Sequence, residues 1–405
     1  MLASLYNWFW KAEYWIPPGF SWTDLEDSDG VTYPHSKDLW IALPLTFVLV
    51  LVRYCFERTI GLSLSRAMGV RDKLRVKAAP NPILESFFWT QSQNPKEDDL
   101  SHLGRQCGLS VRQVQRWFRQ KKKQEQPLLN KKFCESSWKF FFYFFSFIGG
   151  LFVLHKEPWF WEPRLCWEKY PKHPLQPAIY WWFLLEIVFY LSLLLTLFFD
   201  VKRKDFKEQI IHHFVAITLI FCSYSANFLR IGALVLLLHD VSDVLLEAGK
   251  MFNYAKWKYS CDITFLVFAL VFFVSRLIFF PTKVIYTTYH YSRLYFQLYF
   301  GFYFFNGLLM ILQILHIFWF SLICRMLFQF ILARGVQNDI RSDMEDLGTS
   351  DDQSKKGKQR NEKFQTHAPS PKPGVLGNLG YGGWQGMSQK HSLDQPGASD
   401  CLPDK

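Results

Sequence analysis

The chain has 405 residues, 50% of them hydrophobic and 19% aromatic, with 41 Phe and a formal charge of +11. So much Phe argues against an ordinary soluble domain, and the eight cysteines are scattered with no CxxC pair, so neither a disulfide framework nor a zinc site organises the chain. The basic excess suits cytosolic loops facing anionic lipid, although nucleic acid or an anionic substrate would use the same charge.

In chain order, the first 38 residues carry aromatics and Pro17-Pro18 rather than a basic start and an apolar core, so no cleavable signal peptide is expected. No Asn-x-Ser/Thr sequon occurs. Seven apolar runs are long enough to cross a bilayer: Leu39–Phe56, Trp138–Leu154, Tyr180–Phe199, Ile210–Phe228, Gly232–Leu246 with a polar extension to Lys250, Ile263–Pro281 and Phe300–Leu332. The expected fold is all-α and polytopic, with about seven transmembrane helices. Trp and Tyr cluster at span ends (Trp159, Trp161, Trp181-Trp182, Tyr291 and Tyr295), as an interfacial belt would. The connection 57–137 holds 16 Lys/Arg and residues 202–207 hold four, whereas 155–179 has four offset by three acids and 282–299 has only Lys283 and Arg293. The positive-inside rule then puts the amino terminus in the lumen and the carboxyl terminus in the cytosol. Residues 333–405 are expected to form a cytosolic tail, acidic at first (Asp339, Asp343, Glu345, Asp346) and then rich in Gly, Pro, Ser and Lys, with disorder from about residue 350.

Two consecutive spans carry six ionisable residues: His212, His213, His239, Asp240, Asp243 and Glu247. Each costs roughly 2.5–3.5 kcal/mol or more at a helix centre, so a membrane protein keeps such a set only around a shared polar cavity. Asp240, Asp243, Glu247 and Lys250 fall at i, i+3, i+7 and i+10, one stripe of a helix, with His239 on its flank. His212 and His213 point about 100° apart, so at most one aims at the cavity centre. Asn227 and Arg230 end the turn between the two spans, and Arg230 reads as structural. Three uses of the cluster compete: an ion network holding the bundle, a metal site, or acid/base and nucleophilic chemistry by His with carboxylate support. Membrane di-iron sites need many more histidines than the four in spans (His212, His213, His239 and His316), so no metal is expected.

The run Ile210-Ile211-His212-His213, then Arg230-Ile231-Gly232, then His239-Asp240 with Asp243, Glu247, Lys250 and Asn253-Tyr254, resembles the signature of the ceramide synthases, membrane N-acyltransferases of the TLC-domain class. The preceding Asp200-Val201-Lys202-Arg203-Lys204-Asp205-Phe206 is also similar, and the resemblance runs from Trp22-Thr23-Asp24-Leu25-Glu26-Asp27 to Asp339-Ile340-Arg341-Ser342-Asp343-Met344-Glu345. It implies a six-helix TLC-type catalytic bundle over 138–332 in the endoplasmic reticulum. The reaction implied is transfer of a fatty acyl group from acyl-CoA to the amine of sphinganine or sphingosine, with acyl-CoA as co-substrate and no cofactor. His212 is then the base or nucleophile, with His213 second, Asp240 and Asp243 orienting, and His239, Glu247, Arg230, Lys250 and Asn253 supporting. Lys202, Arg203, Lys204 and Lys207 suit the phosphates of CoA, although basic residues at a cytosolic helix end are also ordinary topology determinants. The loop before the last span, here Thr282–Tyr299 with Tyr286, Tyr289, Tyr291, Tyr295 and Phe296, is implied to influence chain length. The wording at Phe199-Asp200, Ser223-Tyr224-Ser225-Ala226-Asn227 and Tyr286-Thr287-Thr288-Tyr289 points to a subtype using saturated stearoyl to behenoyl chains. The tail is implied to serve dimer formation, with itself or other ceramide synthases, and phosphorylation; Ser342 and Thr349 have an acid three residues on. A lipid-sensing or lipid-transfer protein of the same fold is the alternative.

Val111-Arg112-Gln113-Val114-Gln115-Arg116-Trp117-Phe118 followed by Arg119 to Lys123 resembles a homeodomain recognition helix, with 80–127 as the whole segment. Gln120 stands where DNA-binding homeodomains keep an adenine-reading Asn, and neither a full first helix nor a basic arm is evident. Nucleic-acid binding is therefore not expected; Trp117 and Phe118 are expected to form a small core.

Overall fold

Within lipid every backbone N–H and C=O must be satisfied inside its own segment, which leaves long apolar runs only the helix. The computed structural model describes residues 2–28, 30–72, 76–125, 128–201 and 203–333, and these are helical apart from loops and one isolated bridge between Ser28 and Val31. Lys202, Ser342 and Thr349 lie outside the described residues. In chain order the principal helices are α1 (Ala42–Phe56), α2 (Pro82–Thr90), α3 (Glu97–Cys107), α4 (Val111–Glu125), α5 (Leu129–Leu154), α6 (Pro177–Thr196), α7 (Phe206–Ser225), α8 (Leu229–Tyr254), α9 (Lys258–Phe272) and α10 (Phe300–Ala333).

Five stretches among the described residues are long and apolar enough to cross a membrane: Ser36–Ala67, Val111–Leu154, Pro177–Thr196, Lys258–Tyr295 and Phe300–Leu332. The two further spans expected from sequence, α7 and α8, have the length, at 20 and 26 residues. Their ionisable side chains make them less apolar than the other five. They pack against protein, α7 on α6 and α10 with Ile211 and Phe214 left exposed, and α8 on α5 and α9.

The expected loop Thr282–Tyr299 is corrected by the structure. The α9 helix continues without a break in wide i→i+5 turns through Phe273–Ile285 and Thr287–Tyr291, then as Ser292–Tyr295. Pro281 reads as a stop because it lacks an N–H, but the wider register absorbs it, and the Tyr286 N–H bonds to the Pro281 carbonyl.

Close packing of α5 on α6 depends on Gly150. A Cβ there would lie 2.5 Å from Cζ2 of Trp182, whose indole N–H donates to Ser146 Oγ at 2.9 Å and so resists displacement. Gly150→Ala is expected to cost about 1–3 kcal/mol as overpacking, read as a lower thermal midpoint in detergent; an unchanged midpoint would show that the interface is loose.

Helices α2, α3 and α4 enclose a separate small core of Leu84, Phe88, Leu100, Leu103, Val114, Trp117 and Phe118. Asn81 caps α2 by accepting from the Ile83 and Leu84 N–H groups, Pro82 opens the helix, and Gly108 closes α3 with a left-handed φ of 65°. The first helix is only nine residues long, and Trp117 and Phe118 point inward rather than toward a groove.

Candidate active site

Helices α7 and α8 are joined by a tight turn at Asn227, which takes φ 58°, a left-handed conformation that Asn tolerates better than most residues. Its side-chain amide donates to the carbonyls of Pro171 (2.6 Å) and His173 (2.8 Å), tying the turn to the 155–176 connection. His173, in that connection, is held down at about 4 by burial, reinforced by the charge of Arg230. Arg230 donates to the Leu165 carbonyl (2.9 Å) and lies over the Trp159 ring, a structural clamp at the α7–α8 turn.

This turn aligns His212 and His213 on α7 with His239, Asp240 and Glu247 on α8, all buried. Two kinds of cavity meet here. An apolar one of about 630 Å³ runs between α6, α7, α8 and α10, from Tyr190, His212 and His239 to Phe228 and Phe305. A polar one of about 710 Å³ is lined by Lys139, Arg203, His213, Asp243, Glu247, Lys250 and Arg276, and also by His212. A second polar cavity of about 510 Å³ adjoins it, again lined by Lys139, Arg203 and His213. Among the described residues, His212 is the one that lines both the apolar cavity and the 710 Å³ polar cavity. The 100° between the two histidines thus divides their surroundings, with His213 facing only the polar side.

The imidazoles form an array across three helices. The ring of His212 lies 6.2 Å from that of His239 at 25°, and Trp319 stands edge-on to it at 5.3 Å. The Trp319 indole donates to Asp205 Oδ2 (3.1 Å) at the start of α7, so Asp205 fixes the ring that buttresses His212. His239 Nδ1 is 2.7 Å from the Val235 carbonyl, and its Nε2 is 2.9 Å from His316 Nε2. A carbonyl only accepts, so with both rings neutral His239 carries its proton on Nδ1 and His316 donates to His239. The Nδ1 atoms of His212 and His213 are buried without a protein partner.

The carboxylates do not hydrogen-bond these imidazoles. Asp240 Oδ2 accepts from Ser146 Oγ (2.8 Å), and the same hydroxyl contacts Glu186, forming an acid–hydroxyl–acid bridge between α5, α6 and α8. Asp243 pairs with Arg276 at 2.9 Å, and the same Arg276 nitrogen donates to the His239 carbonyl at 3.0 Å. Glu247 pairs with Lys250 at 2.6 Å. Asn253 is exposed at the end of α8. Among the described residues no group of three or more His, Cys, Asp or Glu side chains could hold a metal ion.

Of the four cations expected to meet phosphate, Arg203 lines both polar cavities, Lys204 and Lys207 are exposed and line neither, and Lys202 is outside the described residues. Lys139 on α5 lines both and was not anticipated. In the expected selectivity segment, Tyr286, Tyr289 and Tyr295 are half-exposed, and none of the five aromatics lines the apolar cavity; Thr288 does. Sequence reasoning also missed Glu186 and Arg276, each the single charged residue inside its apolar span, which is the signal that would have found them, and it gave His316, counted among the span histidines, no role.

A TLC-domain family model matches residues 132–325 and a homeodomain model matches 75–126. The chain is 56% identical to ceramide synthase 4 of Homo sapiens over 352 residues, covering 87% of this chain and 89% of that protein. It is 54% identical to ceramide synthase 4 of Mus musculus over 87% of this chain and 90% of that protein. It is 41% identical to ceramide synthase 3 of Homo sapiens over 85% of this chain and 90% of that protein. Identity at this level over nearly the whole length, on a buried His-rich bundle, places this chain in the ceramide synthase family.

Proposed function

We propose that this protein is a ceramide synthase that moves a saturated stearoyl to behenoyl group from acyl-CoA to the amine of sphinganine or sphingosine, giving dihydroceramide or ceramide. The observation that carries the reading is the place of His212, which lines both an apolar cavity suited to a hydrocarbon chain and a polar one suited to a charged carrier. The acyl chain lies in the apolar cavity with its thioester at His212. Arg203 and Lys139 stand at the polar side for the phosphates of CoA. A sphingoid ammonium must lose a proton before its nitrogen attacks the thioester carbonyl. That first proton goes to solvent; His212 takes a second proton from the nitrogen as the C–N bond forms and passes it to the CoA thiolate as the C–S bond breaks. The same position also allows His212 to attack first and carry the acyl group as an acyl-imidazole before the amine takes it.

Asp243 acts through Arg276, whose nitrogen holds both its carboxylate and the backbone of His239. Asp240 acts through Ser146 and Glu186, fixing α8 against α5 and α6. The bundle sits in the endoplasmic reticulum membrane with the amino terminus lumenal, supported by the excess of Lys and Arg in alternate connections.

The chain-length range is tested by giving the purified protein in lipid nanodiscs sphinganine and an equimolar mixture of saturated acyl-CoAs from myristoyl to hexacosanoyl. Products concentrated from stearoyl to behenoyl are expected; a profile centred on palmitoyl or shorter would contradict the range.

A further inference from the structure

At the end opposite the histidines the lining of the apolar cavity includes Phe228, at the α7–α8 turn, and Phe305, on α10, whose ring centroids are 4.4 Å apart. Both rings are buried and backed by further aromatics. Tyr170 lies 4.7 Å and Trp167 5.7 Å from Phe228, and Trp15, from the amino-terminal segment, lies 6.2 Å from Phe305. Tyr170 is anchored by its hydroxyl to the Ala226 carbonyl (2.9 Å), and Trp15 is itself almost fully buried. This is a packed aromatic layer, in which turning either ring aside means shifting the ring behind it, so its resistance grows with the length of chain pressed against it.

The depth of the cavity follows from α10. Trp319 marks the level of His212, and Phe305 lies fourteen residues earlier on the same helix. At about 1.5 Å per residue this is about 21 Å. A zigzag of carbons bonded at about 1.5 Å advances roughly 1.25 Å per methylene, so an extended chain of about 17 carbons fills the distance.

Resting on the acyl-transfer reading, we infer that the Phe228–Phe305 layer is the end stop that limits acyl-chain length in this protein. A stearoyl chain with its thioester at His212 reaches the layer, and longer chains enter only as far as those rings turn aside. The segment expected to govern length acts on the layer from behind, since Phe296 lies 5.5 Å from the Tyr170 ring that backs Phe228. Leu309, one turn along α10 toward the histidines, also lines the cavity and marks where a larger side chain would shorten it.

The test uses the full-length protein in nanodiscs with sphinganine and the equimolar acyl-CoA mixture, reading the ratio of lignoceroyl to stearoyl product, which a general loss of activity does not imitate. Phe305→Ala is expected to raise that ratio about tenfold or more, because several methylenes gain an apolar site. Phe305→Leu, closer in volume, is expected to raise it less and serves where the alanine variant does not fold. Leu309→Phe is expected to lower the behenoyl to palmitoyl ratio by a similar factor. Unchanged ratios in Phe305→Leu and Leu309→Phe would overturn the end stop while leaving acyl transfer intact. A wild-type protein forming no ceramide from any donor would instead overturn the reading on which the stop rests.

Discussion

Replacing His212 with Ala is expected to lower ceramide formation by about 10³-fold or more, with no comparable loss of folded protein. A positioned base alone contributes about 10²–10⁴-fold, and a nucleophile that carries the acyl group would cost at least as much when removed. The substitution leaves no stranded partner, since His212 Nδ1 has no protein hydrogen bond and its neighbours Trp319 and His239 are held by Asp205 and by Val235 with His316. His213→Ala is expected to cost less, because His213 lines only the polar cavities and does not reach the apolar one. Steady-state rates with stearoyl-CoA and sphinganine, set beside size-exclusion profiles, check both. Equal losses in the two variants would mean that the cavity junction is not what singles out His212.

Arg276→Leu has the largest expected effect on stability. Arg276 is 4% exposed, and it neutralises Asp243 at 2.9 Å while donating to the His239 carbonyl at 3.0 Å. Removing one member of a buried ion pair strands the other and typically costs about 3–5 kcal/mol, whereas replacing both by apolar groups is often neutral. The single variant should therefore melt well below wild type, and Arg276→Leu combined with Asp243→Leu should recover most of the loss in a double-mutant cycle. Activity should not return in the double variant, because the polar cavity loses the pair and His239 loses its backbone anchor. A single variant as stable as wild type would mean that Asp243 is satisfied by another route.

The sequence makes the helices legible because lipid permits few alternatives to them, and the stripe Asp240–Asp243–Glu247–Lys250 is legible because it lies within one helix, where spacing dictates direction. What each acid meets was not legible. Asp243 finds Arg276 33 residues on, His239 finds His316 77 residues on, and Asp240 reaches Ser146 94 residues back. These are tertiary contacts between different helices, and no local period encodes them. The reading that a carboxylate would lean directly on an imidazole followed from chemistry common in soluble sites; here the acids are taken up by Arg276 and Ser146. The segment after Pro281 was misread for a different reason. Proline and a run of tyrosines look like a loop, yet wide helical turns tolerate the proline and set Tyr286, Tyr289 and Tyr295 on the outside while Thr288 faces the cavity.

The most direct measurement is ceramide formation by the purified, monodisperse protein in nanodiscs, supplied with sphinganine and stearoyl-CoA and nothing else. The expected result is dihydroceramide and free CoA released in equal amounts over many turnovers. A folded protein that binds sphinganine but forms no dihydroceramide from any donor of myristoyl to hexacosanoyl length would contradict the acyltransferase, and would favour a lipid-sensing or lipid-transfer role for the same cavities.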